Sequence, residues 1–180
     1  MCGVTVAVLY KGTPVIGVIY DPHRKEMFSC IKGQGAYLKS TTSNDHPPQP
    51  LSVQTGITSI SDAIINAGCP ADPNAFQTSL RGMAALNSEC RGIRVLACSC
   101  LTLVWIASGR ITAHFGYDLS SWDLVAGALL IQESGGTVTD IDGSDYKVTT
   151  RNMLVSNGLV QDDILKVLTD ADATSFVPYQ

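Results

Sequence analysis

The chain has 180 residues, of which 45% are hydrophobic and 16% are charged, a composition typical of a folded globular domain. Its formal net charge is −4, and no basic patch is present that would favour nucleic acid or an anionic membrane as a partner. The apolar runs are far shorter than a membrane span, and no convincing secretory signal precedes them. We therefore expect a cytoplasmic protein without nucleic-acid or membrane partners, an organellar location being left open.

The first 40 residues are predicted to form a β-meander, because short β-branched apolar runs alternate with turn sequences. The predicted strands cover residues 4–10, 15–20, 27–31 and 36–38. The first run has almost no polar alternation, so we expect a central strand that is covered on both faces. The Pro-rich segment 40–50, which contains His46, is predicted to be a surface loop.

Strands and helices alternate over the rest of the chain, which favours an α/β layered architecture. Strands are predicted over 63–67, 92–96, 112–115, 137–141 and 153–156, and helices over 74–90, 99–108, 122–134 and 160–168. Ser99 is the expected N-cap of the second helix and Gly109 its C-terminal stop. We divide the chain at residue 91, with the meander and first helix in 1–91 and a C-terminal α/β half in 92–180.

The six cysteines show no zinc-ligand spacing and no Cys-x-x-Cys pair. Cys98 and Cys100 are too close in sequence for an ordinary disulfide. We expect reduced and mostly buried thiols. A nucleophilic role for Cys98 or Cys100 stays open at this point, although a small buried side chain is the simpler interpretation.

The most informative local feature is Ser120-Ser121-Trp122-Asp123, which opens a predicted helix. A carboxylate in the first turn faces the positive end of the helix dipole, a place that suits a hard cation with a phosphate beside it. Taken alone, this feature is explained more simply as a helix-start acid. A second helix start, Ala97-Cys98-Ser99, has backbone N–H groups suited to a phosphate. His114 is expected to be structural, and His23 to be a solvated turn residue.

Four segments together resemble the inositol monophosphatase family of Mg-dependent, lithium-sensitive phosphatases. The sequence SSWDLVAGALLIQESGGTVTDIDG at 120–143 looks like the family's C-terminal Trp-Asp-x-Ala-Ala-Gly and Glu-Ala-Gly-Gly motifs. The other three are YKGTPVIGVIYDPHRKEMFSCIKGQGAYLK at 10–39, GIRVLACSCLTLVWIASGRITAHF at 92–115 and RNMLVSNGLVQDDIL at 151–165. The resemblance covers nearly the whole chain.

The resemblance implies an α-β-α-β-α layered sandwich that hydrolyses a small phosphate monoester with Mg²⁺ and is inhibited by Li⁺. Inositol monophosphate is the leading substrate, and histidinol phosphate, fructose 1,6-bisphosphate and 3′-phosphoadenosine nucleotides are alternatives. Asp123 matches the aspartate that binds a metal ion near the substrate hydroxyls. Ala97, Cys98 and Ser99 match the helix start that faces the substrate. A homodimer is also expected.

The chain departs from the family at the first metal. It contains no Asp-Pro-x-Asp-Gly-Thr motif, which in the family precedes the strand at 4–10. We therefore expect a fold without its N-terminal third and an impaired site. Gly116 stands where many members have a substrate-contacting glutamate. Asp118 is a candidate replacement, because side chains two apart on a strand share a face. Three interpretations stay open. The chain is a fragment of an active phosphatase, it is a non-catalytic binding or oligomer module, or it regains a complete site by pairing with another chain.

Overall fold

The computed structural model describes residues 1–42 and 47–174, so His46 lies outside the described residues. The first 50 residues contribute five strands that form one antiparallel sheet in chain order. These strands are β1 (Val4–Tyr10), β2 (Thr13–Asp21), β3 (Glu26–Ile31), β4 (Ala36–Ser40) and β5 (Gln49–Pro50). The predicted meander is confirmed, with β5 as an additional short strand.

The second sheet has the strand order β7-β6-β8-β10-β9. Its strands are β6 (Ile64–Ala67), β7 (Gly92–Arg94), β8 (Ala113–Gly116), β9 (Thr137–Asp140) and β10 (Met153–Ser156). β6 runs parallel to both β7 and β8, whereas β10 is antiparallel to β8 and β9. Because β6 and β7 pair across residue 91, sequence on both sides of that point builds this sheet, and the division at 91 stays a prediction.

Four helices complete the layers: α1 (Pro73–Glu89), α2 (Ser99–Ala107), α3 (Ser121–Glu133) and α4 (Gln161–Asp170). A short 3-10 helix spans Ile60–Asp62. α2 and α3 pack together between the two sheets, and α1 and α4 pack together on the other face of the second sheet. The described residues therefore form β-α-β-α layers, which confirms the predicted layered α/β fold. None of the described helices has the length and apolar character needed to cross a membrane.

Close packing of α3 on the first sheet depends on a glycine in β2. A Cβ atom on Gly17 would lie 2.8 Å from the Ala126 backbone oxygen of α3. No side chain fits in that space, so the helix backbone approaches the sheet directly. This contact fixes α3, and with it the helix start that carries Asp123.

The prediction that the first strand is central is wrong for the described part of the chain. β1 pairs with β2 alone and forms one edge of the sheet. Thr5 and Ala7 are half-buried, whereas Val4, Val6 and Val8 are 59%, 56% and 45% exposed. The α2–α3 layer covers only one face of β1, so its apolar run is not a sign of burial on both faces.

Two further expectations need correction. Cys98, not Ser99, is the N-cap of α2, and its side chain makes no capping hydrogen bond. Gly109 follows that helix with a φ of +70°, as expected for a C-terminal stop. All six cysteines are free, but only Cys30 and Cys100 are buried, so the expectation of mostly buried thiols is wrong.

Candidate functional site

The carboxyl ends of the three parallel strands β6, β7 and β8 meet at one edge of the second sheet. The segments that follow them, around 68–70, 95–99 and 117–119, line a cleft of about 190 Å³. Ligands of open α/β sheets bind in such crevices beyond the strand ends. A larger cleft of about 440 Å³ is lined by Lys32 and Lys147 among others, but no carboxylate and no helix N-terminus lines it. Another cleft of about 280 Å³ is lined by Asp140 and Asp145, but no helix N-terminus lines it. We therefore take the cleft of about 190 Å³, which the start of α2 lines, as the candidate site.

The N-terminus of α2 opens into this cleft, since Ala97 and Ser99 line it. The first backbone N–H groups of an α-helix have no acceptor within the helix. Here the N-cap side chain of Cys98 supplies none either. This end of α2 therefore presents backbone N–H groups at the positive end of a nine-residue helix, which is suited to an anion such as phosphate.

Asp123 lies in the first turn of α3, half-buried, and its backbone N–H donates to the Ser120 carbonyl oxygen over 2.9 Å. The Asp123 carboxylate also acts electrostatically on the start of α2. The pKa of Cys100 is raised to about 12, mainly by burial, then by the Cys98 thiol and, more weakly, by the Asp123 carboxylate. The starts of α2 and α3 are thus neighbours. Asp123 and Cys98 do not themselves line the cleft.

Of the two thiols at the start of α2, Cys100 is the one that is buried. The Sγ atoms of Cys98 and Cys100 are 3.6 Å apart. Cys100 is 7% exposed and stays protonated near neutral pH because of its raised pKa. The interpretation of Cys100 as a small buried side chain is therefore the one that the structure supports.

Asp118 does not take the position expected of it. β8 ends at Gly116, and Asp118 lies beyond the strand with a φ of +53°. The shared strand face on which its replacement role rested is therefore absent. Its carboxylate lines the cleft but forms an ion pair with Arg151, and its backbone N–H donates to Asn152 Oδ1 over 3.1 Å. The carboxylate charge is thus already compensated.

His114 lines the same cleft and is held by Asn66 of β6. His114 Nδ1 lies 2.9 Å from Asn66 Nδ2 and 3.0 Å from the Asn66 carbonyl oxygen. Asn66 Oδ1 in turn accepts a hydrogen bond of 2.8 Å from the Leu96 backbone N–H. Burial lowers the pKa of His114 to about 4, against an opposing effect of the Asn66 backbone, so the ring is neutral near pH 7.

Three residues of this region were missed from the sequence: Asn66, Arg151 and Asn152. Asn66 is 1% exposed and ties β6 to β8 and to the segment after β7. A polar residue inside a buried apolar strand was an available signal for it. Arg151 and Asn152 directly precede β10, and only their spatial proximity to Asp118 reveals their role.

A metal site is incomplete in the part of the chain that the structure describes. That part contains no group of three or more His, Cys, Asp and Glu side chains that could hold a metal ion. Asp123 is the single candidate carboxylate at the helix start. Mg²⁺ requires six oxygen ligands in octahedral geometry and binds weakly to few carboxylates. The described residues therefore do not by themselves fit a magnesium centre.

Comparison with known proteins identifies a family. The model of the inositol monophosphatase family matches residues 1–173. The chain is 30% identical over 173 residues to the Nus factor SuhB of Escherichia coli K12, covering 93% of this chain and 60% of that protein. It is 33% identical over 171 residues to the inositol-1-monophosphatase of Caulobacter vibrioides, covering 93% and 64%.

Solved structures agree with these relatives. The extragenic suppressor protein suhB from Bartonella henselae superimposes with a TM-score of 0.82 at 30% identity, over 92% of this chain and 60% of that chain. An inositol monophosphatase (IMPase) from Thermotoga maritima gives a TM-score of 0.81 at 23% identity, over 94% and 61%. The chain thus spans about 60% of the length of the relatives that it matches.

Proposed function

The chain belongs to the inositol monophosphatase family, and from that premise we propose that it recognises small phosphate monoesters, with inositol monophosphate as the leading substrate. The observation that carries the proposal is the start of α2, which opens into the cleft beyond β6–β8 and lies beside Asp123. Backbone N–H groups there would hold the phosphate, and the carboxylate of Asp123 would hold a metal ion or a substrate hydroxyl.

Hydrolysis of the ester is the part of this proposal that rests on the family. Mg²⁺ supplies the Lewis acid for such hydrolysis, and Li⁺ is the expected inhibitor. In this chain Asp123 is the proposed metal ligand. One carboxylate is too few to hold two Mg²⁺ ions beside a phosphate, so the described residues account for recognition of the ester and not for attack on phosphorus.

A non-catalytic binding module is the second candidate function. Two observations favour it: the single carboxylate at the helix start, and the pairing of Asp118 with Arg151. Relatives of the chain carry names of both kinds, inositol-1-monophosphatase and Nus factor. Histidinol phosphate, fructose 1,6-bisphosphate and 3′-phosphoadenosine nucleotides remain alternative ligands for the cleft. We also propose a cytoplasmic homodimer without membrane or nucleic-acid partners, in keeping with the net charge of −4.

The test measures binding of inositol 1-phosphate by calorimetry and phosphate release from it, each with and without Mg²⁺. We expect Asp123→Asn to weaken Mg²⁺-dependent binding at least tenfold. The matched control is Asp162→Asn, which removes an exposed acid from the first turn of α4. Mg²⁺-dependent release that is lost in Asp123→Asn would establish the enzyme. Binding without release would establish the non-catalytic module, and no binding would overturn the proposal.

A further inference from the structure

One buried polar atom at the cleft is left without a partner. His114 is 1% exposed, and its Nε2 atom has no hydrogen-bond partner among the described residues. A buried polar group without a partner is destabilising, so such atoms are rare in native proteins. The ring is held firmly at Nδ1 by Asn66. The unpartnered Nε2 is therefore fixed in place.

The next residue on the same face of β8, Gly116, has no side chain. His114 and Gly116 are two residues apart on β8, so both face the same side of the sheet. A Cβ atom on Gly116 would lie 3.0 Å from His114 Nε2 and 3.0 Å from Leu119 Cδ1. Both distances are shorter than ordinary van der Waals contacts, so a group reaches Nε2 from this side only if the Leu119 side chain moves. A leucine side chain rotates more easily than backbone moves.

The chemistry of the ring selects the kind of group that fits. The imidazole is neutral, so it offers no charge to a phosphate. If Nδ1 donates to the Asn66 carbonyl oxygen, Nε2 is an acceptor; if Nδ1 accepts from Asn66 Nδ2, Nε2 carries a proton and donates. A hydroxyl group pairs with Nε2 in either tautomer, because it both donates and accepts. An ionised phosphate oxygen only accepts hydrogen bonds, so it pairs with Nε2 only in the tautomer in which Nε2 carries the proton.

We propose that His114 contacts the substrate, its Nε2 forming a hydrogen bond with a hydroxyl group of the polyol part of a phosphate ester. The phosphate of that ester lies at the start of α2, and the side chain of Leu119 turns aside to admit the hydroxyl. This inference rests on the proposed function and adds to it a group that selects polyhydroxylated esters over simple ones.

The first test observes Nε2 directly in the unaltered chain. Histidine is labelled with ¹⁵N, and the imidazole nitrogen resonances are followed while inositol 1-phosphate or inorganic phosphate is added in the presence of Mg²⁺. His114 is identified as the ring whose resonances are absent from the His114→Gln variant. We expect its Nε2 resonance to move with inositol 1-phosphate and to stay in place with inorganic phosphate.

The second test places a methyl group next to Nε2. Gly116→Ala places a methyl group against the ring, and we expect at least a tenfold loss of affinity for inositol 1-phosphate with unchanged affinity for inorganic phosphate. The matched control is Gly56→Ala, where an added Cβ atom meets nothing within 4 Å. It should bind both ligands as the parent does.

The outcomes separate the two proposals. If both ligands bind but the Nε2 resonance does not respond to the ester, or Gly116→Ala binds the ester normally, the role of His114 is wrong and the proposed function stands. If neither ligand binds to the folded chain, the proposed function fails and the role of His114 fails with it.

Discussion

Glu133 belongs to the motif that identifies the family, yet its role in this chain is to join two layers. Its carboxylate accepts hydrogen bonds from the backbone N–H groups of Gly33 and Gly35, over 2.7 and 2.9 Å. Both donors lie in the turn between β3 and β4, so the end of α3 is tied to the first sheet. Of the two motif acids, only Asp123 is thus proposed as a metal ligand.

Replacing this carboxylate should cost stability. Glu133→Gln removes the charge from two charge-assisted hydrogen bonds, and we expect the free energy of unfolding in urea to fall by about 1–2 kcal/mol. Glu89→Gln, at the exposed end of α1, is the control and should change it by less than about 0.5 kcal/mol. Equal unfolding midpoints for the two variants would contradict the structural role of Glu133.

His114 makes stability depend on pH. Its pKa is about 4 in the folded chain, against a usual value of 6.5. Between these values the unfolded chain binds the extra proton, so stability is complete above pH 6.5 and falls as the pH drops towards 4. The slope from this group approaches about 1.4 kcal/mol per pH unit.

The measurement is the free energy of unfolding in urea between pH 4.5 and 7.5. His114→Gln should flatten the dependence relative to the parent, whatever its own stability. Gly56→Ala, where an added Cβ atom meets nothing within 4 Å, should leave it unchanged. A parent curve with no decline below pH 6.5 would show that the ring is not buried as described.

At the scale of elements, α2 and α3 touch so closely that one position admits no side chain. A Cβ atom on Gly127, also within the family motif, would lie 2.4 Å from Leu103 Cδ1 and 2.6 Å from Leu103 Cβ. Since each of these helices is covered by a sheet on either side, neither can move away. The glycine therefore serves packing and not catalysis.

Gly127→Ala should destabilise the chain, although alanine is a better helix former. We expect a loss of about 1–3 kcal/mol in the free energy of unfolding, from overpacking against Leu103. Gly56→Ala, in open space, should be nearly neutral. Thermal unfolding followed by circular dichroism would detect the difference, and an unchanged melting temperature for Gly127→Ala would contradict this packing.

Most elements could be predicted from local pattern, and the errors have physical causes. The strand at 153–156 was found with its observed bounds because apolar residues are flanked by polar ones. β5 was missed because it is two residues long and ends in a proline. The edge position of β1 depends on which layer lies over it, which a local pattern does not record.

The site was predictable only where a motif marked it. Asp123 and the start of α2 came from helix-start patterns and the resemblance, and their role in binding stays a prediction, although the Asp123 carboxylate does act electrostatically on Cys100. Two interactions join residues that are far apart in sequence: the ion pair between Asp118 and Arg151, and the hydrogen bond between Asn66 and His114. Such pairs depend on the three-dimensional arrangement, so one sequence does not reveal them.

For the whole molecule, the outer face of the first sheet exposes a row of apolar side chains. Val4, Val6, Val8, Ile16, Ile31 and Tyr37 are all more than a third exposed. β1 also presents its unpaired edge beside this face. Exposed apolar patches and open strand edges promote association between copies of a chain.

We therefore expect concentration-dependent self-association, with a second copy covering this face. The double change Val6→Lys and Ile31→Glu should lower the mass measured by light scattering. Leu159→Lys, at an exposed position near the start of α4, is the control and should leave the mass unchanged. A monodisperse monomer of the unaltered chain at high concentration would contradict the expectation.

The hydrogen bond between Glu133 and the turn at Gly33 also affects how the chain folds while it is being synthesised. Strands β1–β4 pair with their neighbours along the chain, so the meander can assemble as soon as it leaves the ribosome. Its inner face is covered by α3, and Glu133 follows Gly33 by 100 residues. At a synthesis rate of about 5–20 residues per second, roughly 5–20 s pass between the addition of Gly33 and that of Glu133, and the inner face is not yet covered by α3 during that time. In that interval Ile19, Phe28 and Cys30, buried in the finished fold, are what a chaperone would meet first.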